Sequence, residues 1–199
     1  MGNDHESRGA DQGCVSPYAG RGPYGPLWFG LYPGCGFHLF RNPSRPLAEG
    51  DILRAIGLTE QPPLGAIGSI VVGVVSITTL GTWINVADDY HLWNDRKKRK
   101  IAIGSLAALG DLFTFQLPDP DMSYAFAFYR NGVRVRLRVV KSPKYWDQTL
   151  KTDDGPALPG EPEDWRGEPF PMMVSIARAI GVPIDIEARQ RFYAWPKSR

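Results

Sequence analysis

The sequence predicts an α+β domain: a mainly antiparallel sheet with two or three helices packed on it. Strand-like runs follow one another directly, Val74–Thr79 then Thr82–Ala87 and Tyr124–Arg130 then Val133–Val140, instead of alternating with helices. Asn131-Gly132 sits between two alternating apolar runs, where it supplies the two positive-φ positions of a hairpin turn. Helical spacing is confined to separate stretches, near 47–56, 98–109 and 173–180. A chain of 199 residues lies within the range that buries a single core. Residues 26–199 are therefore read as one domain behind a loose extension, 1–25, which is rich in Gly and polar residues and lacks the features of a signal peptide.

Short strands are expected at Leu27–Tyr32 and Gly36–Phe40, on either side of the Pro33-Gly34-Cys35-Gly36 turn. Leu47, Ile52, Leu53 and Ile56 approximate one helical face, and Gly57 suits its end. Strands follow at Ile67–Val72, Val74–Thr79 and Thr82–Ala87, then a helix at Lys98–Leu109 stopped by Gly110, and a strand at Leu112–Leu117. Pro118-Asp119-Pro120-Asp121 turns the chain into the hairpin. Residues 144–171 form a Pro/Gly-rich acidic loop with no sustained period. Met173, Ile176, Ala177 and Ile180 make the stripe of a last clear helix between Pro171 and Gly181, and Ile184–Trp195 reads as a second helix or an irregular tail.

Gln61–Ala87 carries no charged side chain and is long enough to cross a bilayer. Its β-branched centre, interrupted by Gly68, Gly73 and Gly81, suits two successive buried strands better, so no membrane span is expected.

A regular ladder from the Asn131-Gly132 turn places Phe128, Phe126 and Tyr124 opposite Val135, Leu137 and Val139. The other face then pairs Tyr129, Ala127 and Ala125 with Arg134, Arg136 and Arg138, an outward arginine stripe. Tyr145 and Trp146 flank it as aromatic anchors. Three occupants suit such a stripe. The acidic loop can fold back, with Asp153, Asp154, Glu161, Glu163 or Asp164 pairing the arginines; a protein partner can bring its own acidic patch; or nucleic acid can lay phosphates and bases there. The adjoining acidic segment repels nucleic acid, which favours the first two. Net charge, +2, is too small to imply nucleic-acid binding by itself.

A second basic run, Arg96 to Lys100, falls where a helix begins and opposes its dipole. An acidic counterpart, from Asp88, Asp89, Asp95 or a partner, would relieve that conflict.

Chemistry of another kind would draw on Asp88, Asp89, Tyr90 and His91, with Asp119 and Asp121 after a different strand, as hard-cation ligands or an acid–base pair. Adjacent strand residues point to opposite faces, and each aspartate also suits a turn or cap. His5 and His38 have no metal spacing, and Cys35 with His38 lacks a third orienting group. No P-loop, GxSxG elbow, HExxH or EF-hand pattern occurs in the sequence. No cofactor is expected, and an enzyme is the less favoured reading. Cys14 and Cys35 allow one disulfide but form no framework, so a reducing cytoplasm is the simpler compartment.

Gly81–Tyr90, Ser123–Gly132 and Gly155–Glu161 together resemble small uncharacterised bacterial domains of the immunity-protein type found in polymorphic toxin systems. The resemblance covers about Trp83 to Gly181 and leaves out the N-terminal extension. It implies a cytoplasmic, non-enzymatic protein that neutralises a toxin by binding it, and it transfers no catalytic residue. The expected contact residues are Tyr129, Arg134, Arg136, Arg138, Tyr145 and Trp146.

Overall fold

The computed structural model describes residues 36–42, 45–58, 62–64, 74–88, 95–116, 123–142, 148–165, 169–183 and 190–195. Their elements are β1 (Gly36–Arg41), α1 (Glu49–Ala55), β2 (Val74–Leu80), β3 (Trp83–Asp88), α2 (Arg96–Ala108), β4 (Asp111–Gln116), β5 (Tyr124–Arg130), β6 (Val133–Lys141), β7 (Thr149–Asp154), α3 (Pro169–Ala179) and β8 (Gln190–Ala194). The extension 1–25 and the expected strands Leu27–Tyr32 and Ile67–Val72 lie outside the described residues.

All eight strands join one sheet in the order β7-β6-β5-β4-β1-β3-β2-β8, and every neighbouring pair is antiparallel. Strand alternation sends successive side chains to opposite faces, and each face meets helices. Leu80, Trp83, Phe113, Phe115, Phe126 and Phe128 pack with Met173, Ile176 and Ala177 of α3. On the other face, Val75, Ile77, Ile84, Val86 and Leu112 pack with Ile52 and Leu53 of α1 and Ala102 and Leu106 of α2. The α+β class and its antiparallel sheet are thus those expected. Among the described residues no helix is long and apolar enough to cross a membrane, and the 74–87 part of the uncharged run lies in β2, β3 and the turn between them.

Two elements correct the expected order. Gln190–Ala194 is a strand, not a helix or tail: Tyr193 and Trp195 alternate into the core on the α1/α2 side, and β8 pairs along β2. Its outer edge meets the Pro62–Leu64 segment, where Leu64 N donates to Phe192 O at 2.8 Å. The acidic loop likewise contains a strand, β7, which pairs with β6 at the opposite end of the sheet.

Helix α2 begins two residues earlier than its apolar spacing suggests, because the Asp95 side chain caps it. Asp95 Oδ1 accepts from Lys97 N at 2.9 Å and Lys98 N at 3.0 Å. Those amides hold the Asp95 carboxyl below its ordinary range, the Lys98 bond first. Asp95, next to the basic run in sequence, thus caps the helix and pairs with Lys98 at 3.9 Å.

Candidate functional site: the arginine hairpin and its acidic cover

Asn131 (φ 49°) and Gly132 (φ 81°) form the expected tight turn, and Arg130 pairs with Val133 and Tyr129 with Arg134. There the regular ladder stops. Phe128 pairs with Arg136 rather than Val135, Phe126 with Arg138 and Tyr124 with Val140, so Val135 is the extra residue of a bulge. One inserted residue reverses which face every later side chain takes. The expected outward stripe is accordingly corrected. Arg134 shares a face with Tyr129, whereas Arg136 and Arg138 turn to the face of Phe126 and Phe128.

Arg136 and Arg138 are consequently buried, and the acidic loop covers them. Arg136 holds Glu161 with two parallel bonds, Nε to Oε1 and Nη2 to Oε2, both 2.8 Å. Its Nη1 reaches Asp153 Oδ1 at 2.5 Å and donates to the carbonyls of Gly155 (3.0 Å) and Asp154 (3.3 Å). The Glu161 bonds first, and then those of Asp153, raise the guanidinium above its ordinary pKa against the opposing effect of burial. Arg138 lies opposite Asp153 on β7 and donates from Nη1 to Asp153 Oδ2 at 2.6 Å. Asp153 thus bridges both arginines.

Aromatic rings close the arrangement. Trp165 stacks on Tyr124 and Phe126 with centroids 5.9 and 5.7 Å apart, and the Arg138 guanidinium lies 4.1 Å from the Trp165 ring centre. Burial pushes the Tyr124 hydroxyl up, opposed by its bond from Arg138. The loop is also held from within, since Leu158 N donates to Glu161 Oε1 at 2.7 Å and Leu158 packs on the α3-side core. Gly155 (φ 83°) is where loop and bulge meet: a Cβ there would lie 2.0 Å from Val135 O.

Of the sequence-predicted contact residues, the four described ones, Tyr129, Arg134, Arg136 and Arg138, are therefore not assembled on one face. Arg134 stays exposed and meets Asp154 at 3.2 Å, a solvent-screened pair. Tyr129 is half-buried on the α1/α2-side core, and burial raises its hydroxyl pKa. Tyr145 and Trp146 lie outside the described residues, as do Asp89, Tyr90, His91, Asp119, Asp121, His5 and both cysteines. Asp88 ends β3 opposite Gly36 and Val75, and His38 occupies the β1 position opposite Val86 and Thr114. Among the described residues no group of three His, Cys, Asp or Glu is placed to hold a metal.

Sequence reasoning missed two features. Trp165 is one of four aromatics in the loop, with Tyr145, Trp146 and Phe170, and its surrounding acidic residues give it no local pattern. Asn85 is fully buried on β3 with both amide atoms unpartnered, and it lies opposite Thr78, whose Oγ1 also lacks a partner. A single polar residue inside the apolar run Trp83–Ala87 was its signal.

No family model matches the chain, and neither a curated protein nor a solved structure matches it.

Proposed function

We propose that this chain is a non-catalytic protein-binding protein, and that an immunity or inhibitor role, neutralising a bacterial toxin in the cytoplasm by direct contact, is its most concrete form. The observation that supports it is the outer end of the arginine hairpin. Val133 is 65% exposed there, between exposed Arg130 and Arg134, and the same strand is locked further along by Arg136 and Arg138. An apolar side chain flanked by cations on a pre-ordered hairpin loses little conformational freedom when a partner covers it. Arg134 can exchange Asp154 for a partner's carboxylate at small cost, because exposed pairs contribute about 0–1 kcal/mol. Arg136 and Arg138 act in this reading as the scaffold, with Tyr129 packing the hairpin onto the α1/α2 side.

The test is capture from an extract of the native host with the wild-type chain and with Val133→Asp/Arg134→Glu. A specific protein retained by the wild type and lost by the folded variant is the expected result. Equal retention by both would remove the hairpin end as the contact.

A further inference from the structure

Several cationic side chains of this fold have a carboxylate beside them. Arg41 meets Asp111, Arg45 and Arg54 meet Asp51, Arg134, Arg136 and Arg138 meet Asp153, Asp154 and Glu161, and Arg191 meets Glu49. The start of α2 is where cations without one are clustered. Arg96, Lys97 and Lys100 are exposed with no carboxylate in ion-pair reach among the described residues, while Lys98 touches only Asp95, at 3.9 Å. The helix has no acidic residue in its first turn, so these cations stand against its dipole. Nor does the core require them, since Ala102, Leu106 and Ala107 make the buried face of α2.

One turn further along, Ile101 is 59% exposed. Lys97, Ile101, Gly104 and Ala108 follow one another on a single helical stripe, and all four are exposed. At Gly104 a Cβ would meet nothing within 4 Å, so the helix backbone can be approached closely beyond Ile101. The stripe ends at the hairpin turn, where a Gly132 Cβ would lie 3.9 Å from Ala107 O and Ala108 Cα.

We infer that the first turns of α2 form a docking surface for an acidic protein segment, whose carboxylates meet Arg96, Lys97 and Lys100 and whose apolar side chain covers Ile101. Charge identifies the partner as anionic, and two details select protein over a polyphosphate. The Lys97 and Lys98 amides already donate to Asp95, so the helix end offers them to no phosphate. An exposed isoleucine among the cations adds nothing to a phosphodiester contact, whereas an apolar anchor ringed by charge is the usual anatomy of a protein interface. The inference rests on the protein-binding reading above but places the contact on another element.

Fluorescence anisotropy of the full chain tests it with three labelled probes at low salt: a glutamate-rich peptide with a central leucine, the same peptide with serine at that position, and a short DNA duplex. The leucine peptide binds, and Lys97→Glu/Lys100→Glu abolishes binding. Ile101→Ser and the serine peptide each weaken it by about tenfold, without further loss when combined. Stronger binding of the duplex together with indifference to Ile101→Ser would overturn the proposal, as would peptide binding that survives the double charge reversal. Peptide binding unaffected by Val133→Asp/Arg134→Glu supports the α2 surface while leaving the hairpin reading to its own capture experiment.

Discussion

Arg136 and Glu161 face each other across 25 positions of sequence as a bidentate pair, with both side chains only 4% exposed. Burying two charges is unfavourable unless each satisfies the other, so the pair matters most when one member is lost. Glu161→Ala leaves a buried cation with Asp153 as its one carboxylate, and a destabilisation of about 3–5 kcal/mol is expected in urea unfolding. Arg136→Met/Glu161→Leu is expected to recover most of that loss. A double variant as unstable as Glu161→Ala would show that the loop is held by something other than this pair.

Gly155→Ala places a methyl group where the Val135 carbonyl already sits, 2.0 Å away, and at a positive φ. A loss of more than about 1 kcal/mol follows. Its location is diagnostic: amide exchange should quicken along β7 and the hydrogen-bonded rows of β6 while β2 and β3 keep their protection. Uniform quickening across the sheet would mean that the bulge contact is not a local fastening.

Asp95 links α2 to pH. Its folded carboxyl ionises below the ordinary value of 3.8, so the cap's contribution is fully present above 3.8 and is lost as pH falls through the lower, folded value. An NMR titration of the Asp95 carboxyl carbon should therefore give a midpoint under 3.8. A midpoint at or above it would show that the cap does not form in solution. Asp95→Ala should fray the first turn of α2 at neutral pH and leave the sheet intact.

Asn85 and Thr78 oppose each other inside the sheet with three polar atoms unsatisfied between them. An unmade buried hydrogen bond costs about 1–3 kcal/mol, and replacing both partners by apolar groups of similar shape removes that cost. Thr78→Val/Asn85→Leu is accordingly expected to raise the unfolding free energy by about 1–3 kcal/mol. A lower stability would reveal that the amide is satisfied in solution, by an ordered water for example.

Much of the architecture was legible because its signals are local. The Asn131-Gly132 turn, the β-branched alternation of β2 and β3, and the Pro171-to-Gly181 helical stripe each lie within a short window of sequence. What failed was parity. The bulge depends on Val135 packing beside the α3-side core and on Gly155 approaching its carbonyl, two contacts made by remote segments. Without them a regular ladder is the simplest pairing, and it sends Arg136 and Arg138 outward. Strand β7 was hidden for a related reason: Thr149–Asp154 has no apolar alternation, and Asp153 and Asp154 are drawn onto the sheet by Arg134, Arg136 and Arg138. The candidate clamp partners were readable as charges, but which face they would serve was not.

The two outer strands are unequally guarded. Beside β8 runs a segment with two prolines, Pro62 and Pro63, which have no amide hydrogen to offer a newcomer, and its Leu64 already bonds Phe192. At the other extreme β7 has no described neighbour outside it, and only Lys151, Asp153 and Asp154 to discourage one. Among the described residues, then, β7 is the edge more open to sheet growth. Two molecules that met strand to strand at β7 would use up the available edge, and the result would be a closed pair rather than a fibre.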